Sequence, residues 1–168
     1  MPSPSKSGVQ FGGRRYYAVA LSDFPNTGFS FTCWVRNNGS GPVAFIGSRD
    51  QGATVDATTT TFAIRLNGGA VEVDVLSDQL SAAAPALMDN DSHHIAVTFT
   101  QPTGSATAQV TVYVDAQQVG AKTLSMLPDG GLVRMLQTSN PLMLGAEPAD
   151  PAGDDPNVPR NLLASPLT

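Results

Sequence analysis

The segment Glu72-Val73-Asp74-Val75-Leu76-Ser77-Asp78 places three acids within seven residues. Paired carboxyl groups are the raw material of acid/base work, and retaining glycoside hydrolysis needs them ~5 Å apart. Read as one extended strand rising roughly 3.3 Å per residue, the six steps from Glu72 to Asp78 separate these groups by roughly 20 Å. The one other glutamate is Glu147. The stretch therefore reads as a solvated acidic strand face. His93 and His94 are adjacent, so on a strand they project to opposite sides and cannot share a metal. His93 has the parity of the apolar Ile95, Val97 and Phe99, and is read as a histidine bonding to neighbouring backbone. No Gly-x-Ser-x-Gly elbow, phosphate-cradling glycine loop or dinucleotide fingerprint occurs. Cys33 is the single cysteine, which rules out an intrachain disulfide and cysteine-based zinc clusters. It alternates with Phe29, Phe31 and Val35 and reads as a buried thiol packing as a small hydrophobe.

The elements that must position these residues have a period of two. Phe29, Phe31, Cys33 and Val35 alternate with Ser30, Thr32, Trp34 and Arg36. The same pattern recurs in Phe62-Ile64-Leu66, Val71-Val73-Val75, Ile95-Val97-Phe99 and Val110-Val112-Val114. Each is a strand with one buried face and one largely polar face. Turn clusters separate them: 37–41, 67–69, 101–104 and 129–131. Asn67-Gly68 between two alternating runs is a hairpin signal, because both residues tolerate positive φ. Helical turns are predicted only in 80–88 and 131–138. Many short antiparallel strands of this kind predict an all-β, two-sheet antiparallel β-sandwich of jelly-roll type. Residues 1–8 read as a flexible N-terminal segment. From Glu147 onward, five of the thirteen prolines fall between Pro148 and Pro166, so 147–168 reads as a loop or tail.

Composition narrows the classes. The chain has 168 residues, enough for one domain with a real core. Charged residues are 14% and the net charge is −5, with no run of Lys or Arg, so the electrostatic footprint of a nucleic-acid binder is missing. No apolar stretch approaches the ~20 residues that span a bilayer as a helix, so membrane insertion is not expected. Residues 1–8 carry one Lys and no apolar run, which does not fit a secretory signal peptide.

Three ordered segments carry a resemblance. Val9-Gln10-Phe11-Gly12-Gly13 with Tyr17-Ala18-Val19, then Phe29 to Val35, resembles the opening of laminin-G-like domains of the concanavalin A-like lectin/glucanase superfamily. His93-His94-Ile95-Ala96-Val97-Thr98-Phe99 is similar to that family's central strand. It is followed in order by Val112-Tyr113-Val114-Asp115 and Leu142-Met143-Leu144-Gly145. The likeness covers 9–146 and departs from the family at Ser92, where a Trp often precedes the histidines.

The resemblance implies a concanavalin A-like sandwich and a place outside the cell or on a cell or particle surface. Its glucanases carry Glu-x-Asp-x-Glu or Glu-x-Asp-x-x-Glu, and here the second glutamate is replaced by Leu76 or Ser77, so no enzyme is expected. Relatives hold calcium at a loop edge, which here implies Asp89, Asn90 and Asp91, or Asp150, Asp154 and Asp155; Asp115 reads instead as capping the turn after its strand. The implied function is non-enzymatic binding of a glycan or a protein surface. Aromatic and planar polar residues of the non-core parity are its candidate contacts: Tyr16, Trp34, Arg36, Arg65 and Tyr113. The family continues with one more strand beside the first, which this sequence does not supply. An open edge invites strand addition by a partner chain or a second copy, so an assembly role in an appendage, fibre or particle decoration is the alternative.

Overall fold

A computed structural model describes residues 17–19, 28–36, 41–47, 60–75, 78–125 and 142–144. The strands are β1 (Tyr17–Val19), β2 (Gly28–Arg36), β3 (Gly41–Gly47), β4 (Thr60–Leu66), β5 (Ala70–Val75), β6 (Asp78–Ala83), β7 (Ser92–Thr100), β8 (Thr107–Val114), β9 (Gln117–Ser125) and β10 (Leu142–Leu144). A single 3-10 turn, Pro85–Met88, lies between β6 and β7. Every pairing is antiparallel, in a six-stranded sheet ordered β1-β10-β3-β4-β5-β6 and a four-stranded sheet ordered β2-β7-β8-β9. This is the predicted two-sheet sandwich.

Its core lies between the sheets and is built by alternation. Phe62, Ile64 and Leu66 of β4 and Val71, Val73 and Val75 of β5 are buried from one side. Val35, Ile95, Val97, Phe99, Val110, Val112 and Val114 close on them from the other. Each such side chain stabilises the fold by about 1.5–3 kcal/mol when removed from water. Phe29 joins the layers, with its ring edge-on to Phe62 at 5.1 Å and stacked on Phe99 at 5.5 Å.

Two hairpins fix the register. Asn67 and Ala70 exchange both backbone hydrogen bonds at 3.0 Å around Gly68 (φ 54°) and Gly69 (φ 82°). The predicted turn is present, centred one residue further along than the Asn-Gly pair. Between β8 and β9 the two-residue loop is Asp115 (φ 50°) and Ala116 (φ 65°). Both hairpins have the positive-φ geometry that matches the right-handed strand twist.

The expectation of a helical turn over 80–88 is corrected. Residues 80–83 belong to β6, which pairs with β5 from Val75↔Asp78 to Ala70↔Ala83, and only Pro85–Met88 turns. Ladder hydrogen bonds to β5 outweigh the local helix propensity of Ala82 and Ala83. The stretch 131–138 and the segments 1–8 and 147–168 lie outside the described residues.

Candidate functional site

The side of the four-stranded sheet turned away from the core is assembled by register. Trp34 lies opposite His94. The next rows are Thr32–Ala96–Tyr113–Gln118, Ser30–Thr98–Thr111–Ala121 and Gly28–Thr100–Gln109–Thr123. Trp34 is 51% exposed, an unusual cost for an indole on a solvent face. Its ring sits 5.3 Å from that of His94 at 56°. Tyr113 is half-buried one row further along.

Arg36 closes this end of the face. Its Nε donates to the carbonyl of Asn90 at 2.8 Å, tying β2 to the loop 89–91. That loop is in turn held by Asp89, whose Oδ1 accepts the backbone N–H of Asp91 at 2.7 Å and lies 2.8 Å from His93 Nε2. The opposite ring nitrogen, His93 Nδ1, lies 2.6 Å from Asp115 Oδ2. Asp115 Oδ1 accepts the N–H of His94 at 2.9 Å, and the Asp115 N–H donates to the His94 carbonyl at 2.8 Å. His93 is buried, 8% exposed, between two carboxylates. Hydrogen bonds donated to Asp115 and then to Asp89 raise its pKa above the ordinary histidine value against the effect of burial. The same bonds lower both carboxyl pKa values.

This network was not foreseen. The reading of His93 as bonding to neighbouring backbone is corrected: its partners are the side chains of Asp89 and Asp115. Asp115 occupies the hairpin loop and grips β7 rather than only capping its own turn. The available signal was a histidine of core parity, which on an apolar sheet face must find acceptors, and two acids in the flanking loops.

The five candidate contact residues do not form one site. Trp34, Arg36 and Tyr113 share the outer face of the four-stranded sheet. Arg65 belongs to β4 of the other sheet, where it is paired with Asp74. Tyr16 lies outside the described residues. Of the loop acids, Asp89 and Asp91 flank Asn90 (φ 67°) at the Arg36 end, and Asp150, Asp154 and Asp155 lie outside the described residues. Among the described residues, no three His, Cys, Asp or Glu side chains converge in a way that could hold a metal ion.

The distance argument for the acidic stretch also changes. Glu72 and Asp78 are on different strands, because the chain reverses after Val75 and Asp78 pairs opposite it. Glu72 shares the outer side of its sheet with Arg65 and Asp74, and accepts from Asn67 Nδ2 at 2.8 Å. Asp78 has the parity of buried Val75 and accepts from Lys122 Nζ of β9 at 2.8 Å. Opposite faces, not a 20 Å strand, separate the two carboxylates.

The comparisons agree with this architecture. Residues 11–157 match the family described as concanavalin A-like lectin/glucanases superfamily, laminin-G type, and the chain belongs to it. No curated protein sequence matches the chain. Among solved structures it is similar to the CBM40 of Ruminococcus gnavus IT-sialidase bound to alpha2,6 sialyllactose. That likeness has a TM-score of 0.52 and 11% identity, and covers 95% of this chain and 84% of that one. It is also similar to the enzymatically active domain of tailspike protein 2 of bacteriophage CBA120, with a TM-score of 0.50, 8% identity and 92% of this chain covered. The match takes in 24% of the tailspike chain, so the chain spans about a quarter of that protein. Identities this low show a shared fold. Among the described residues, no helix is long and apolar enough to cross a membrane.

Proposed function

We propose that this domain binds carbohydrate without catalysis, at a surface outside the cell or on a particle, through the outer face of the β2-β7-β8-β9 sheet. The observation that carries the reading is the exposed Trp34 ring set over His94, with Tyr113 and Arg36 beside it. An aromatic ring offers an apolar platform for the C–H face of a sugar, and hydroxyls and amides around it fix orientation. Most of the binding energy is expected from the aromatic anchors. The carbohydrate-binding module among the similar structures supports the same reading. Glu72 and Asp78 face opposite sides of their sheet, so no catalytic pair is assigned.

Trp34 is the only tryptophan, so intrinsic fluorescence reports directly on the site. Saccharide binding is expected to shift and quench its emission saturably, and Tyr113→Ala to weaken that titration by tenfold or more. A folded protein whose emission ignores every saccharide offered overturns the proposal. The assembly alternative separates in the same experiment. Concentration-dependent association seen by light scattering, with no saccharide response, favours completion of a sheet edge by a partner strand.

A further inference from the structure

We infer that the ligand is an uncharged saccharide chain lying lengthwise along β7 and β8, an inference that rests on the carbohydrate-binding reading above. The outer faces of the two sheets differ in one respect that selects a ligand. On the six-stranded sheet that face carries Arg65, Glu72 and Asp74. On the four-stranded sheet, among the described residues, no Asp, Glu, Lys or Arg side chain occupies the rows from Thr32 to Ser125. Lys122, in the middle of β9, has the parity of the core side and reaches Asp78 and the Gln79 carbonyl of β6. What occupies the rows, besides Tyr113, Gly28, Ala96 and Ala121, is Thr, Ser and Gln, with the exposed hydroxyls and amides led by Thr32, Thr100, Gln109 and Gln118, whereas Thr111 is buried.

A chain with 14 acidic residues and a net charge of −5 keeps this face free of them. Hydroxyls and amides both donate and accept, which is what the hydroxyls of a sugar require, and they impose no charge preference. An anionic sugar would need a desolvated cation. Among the described residues, the cation at the edge is Arg36, whose Nε donates to the Asn90 carbonyl and which lies by the loop carrying Asp89 and Asp91. Repulsion from those acids and from the net charge opposes an anion there.

The length of the face points to a chain rather than a single sugar. From the His94 row to the Thr107–Ser125 row there are four row steps, about eight residues of strand, a lane of roughly 26 Å at ~3.3 Å per residue. Its aromatic residues are gathered at one end, so Trp34, His94 and Tyr113 hold one sugar and the hydroxyl rows hold the sugars that follow. A second copy stacked on the face would need apolar burial between the sheets, which rows of Thr, Ser and Gln do not provide.

The test is calorimetry and Trp34 fluorescence with neutral oligosaccharides of glucose, galactose, mannose and xylose, each from two to six units. Sialylated and sulfated oligosaccharides are run beside them. At least one neutral series is expected to bind, with Kd falling at least tenfold from two units to six. Thr98→Val and Gln109→Ala should each weaken hexasaccharide binding by about three- to tenfold. Tighter binding of the anionic sugars, or a Kd independent of length, overturns this inference and leaves carbohydrate binding standing. No binding to any saccharide overturns both. Dimerisation abolished by Thr98→Glu would identify the face as a contact between copies instead.

Discussion

His93 and Asp115, 22 residues apart, meet at 2.6 Å between Nδ1 and Oδ2 and fasten the β8–β9 hairpin loop to the first turn of residues of β7. Through its other nitrogen the same imidazole holds Asp89, and the loop of Asp89 presents the carbonyl that fixes Arg36. With both ring nitrogens on carboxylates, the arrangement is best served by the imidazolium, which donates from each.

The signs of the shifts set a pH window. The raised His93 pKa means that its contribution is complete below the unfolded value near 6.5 and is lost as pH rises through the higher folded value. The lowered Asp115 and Asp89 pKa values mean that theirs is present above the ordinary 3.8 and lost as pH falls through the folded values. Tm should therefore be highest between about pH 4 and 6.5 and decline toward pH 9. His93→Gln, neutral throughout, should lower Tm by a few degrees at pH 5.5 and flatten the alkaline decline. A wild-type alkaline limb that His93→Gln leaves unchanged would show that His93 is not its source.

Ala116 holds φ at 65° in the two-residue hairpin loop, a region where a Cβ costs about 1–2 kcal/mol. Gly relieves that crowding but gives the unfolded chain more freedom. The net expectation for Ala116→Gly is a gain of roughly 0.5–1 kcal/mol, read as a higher urea midpoint at unchanged m. A lower midpoint would mean that the Ala116 methyl is itself in favourable contact.

Burial pushes the Cys33 thiol up to about 12. At pH 8 only about one molecule in ten thousand carries the thiolate, the species that reacts with alkylating agents. Iodoacetamide labelling of the folded protein should be orders of magnitude slower than in urea, and it should follow unfolding. Rapid labelling of the native state would contradict the burial of the sulfur.

The sequence made β2, β4, β5, β7 and β8 readable because each has one face on the core and the other facing away from it, so polarity alternates with the pleat. β9 was silent: Gln117-Gln118-Val119-Gly120-Ala121 carries a register shift near Tyr113, and Gly and Ala leave no contrast between faces. β6 failed for a similar reason, and Gly41 to Gly47 mixes Gly, Pro and a continuous apolar run. Parity also explains the partial success at the site. It gave Trp34, Arg36, Arg65 and Tyr113 the same kind of face, but parity does not say which sheet a strand joins, so Arg65 was grouped with residues of the other layer. The His93–Asp115 contact depends on how a hairpin loop aligns with a neighbouring strand, which local pattern does not encode.

At Gly120, β9 packs tightly against β6 of the opposite sheet. A Cβ built there would lie 2.7 Å from the Cβ of Ala82, which is itself buried. Neither atom can rotate away, so Gly120→Ala must push the strands apart, at a cost of about 1–3 kcal/mol. The displacement would also strain the Lys122–Asp78 pair that bridges the same two strands at 2.8 Å. That pair is more than a third exposed on both sides, so its loss alone should be nearly neutral. The two effects separate in a double-mutant cycle. Ala82→Gly removes the opposing methyl and should recover part of the stability lost in Gly120→Ala, whereas Lys122→Met should change either background by less than about 1 kcal/mol. If Gly120→Ala is as stable as the parent in urea titration, β6 and β9 do not approach this closely in solution.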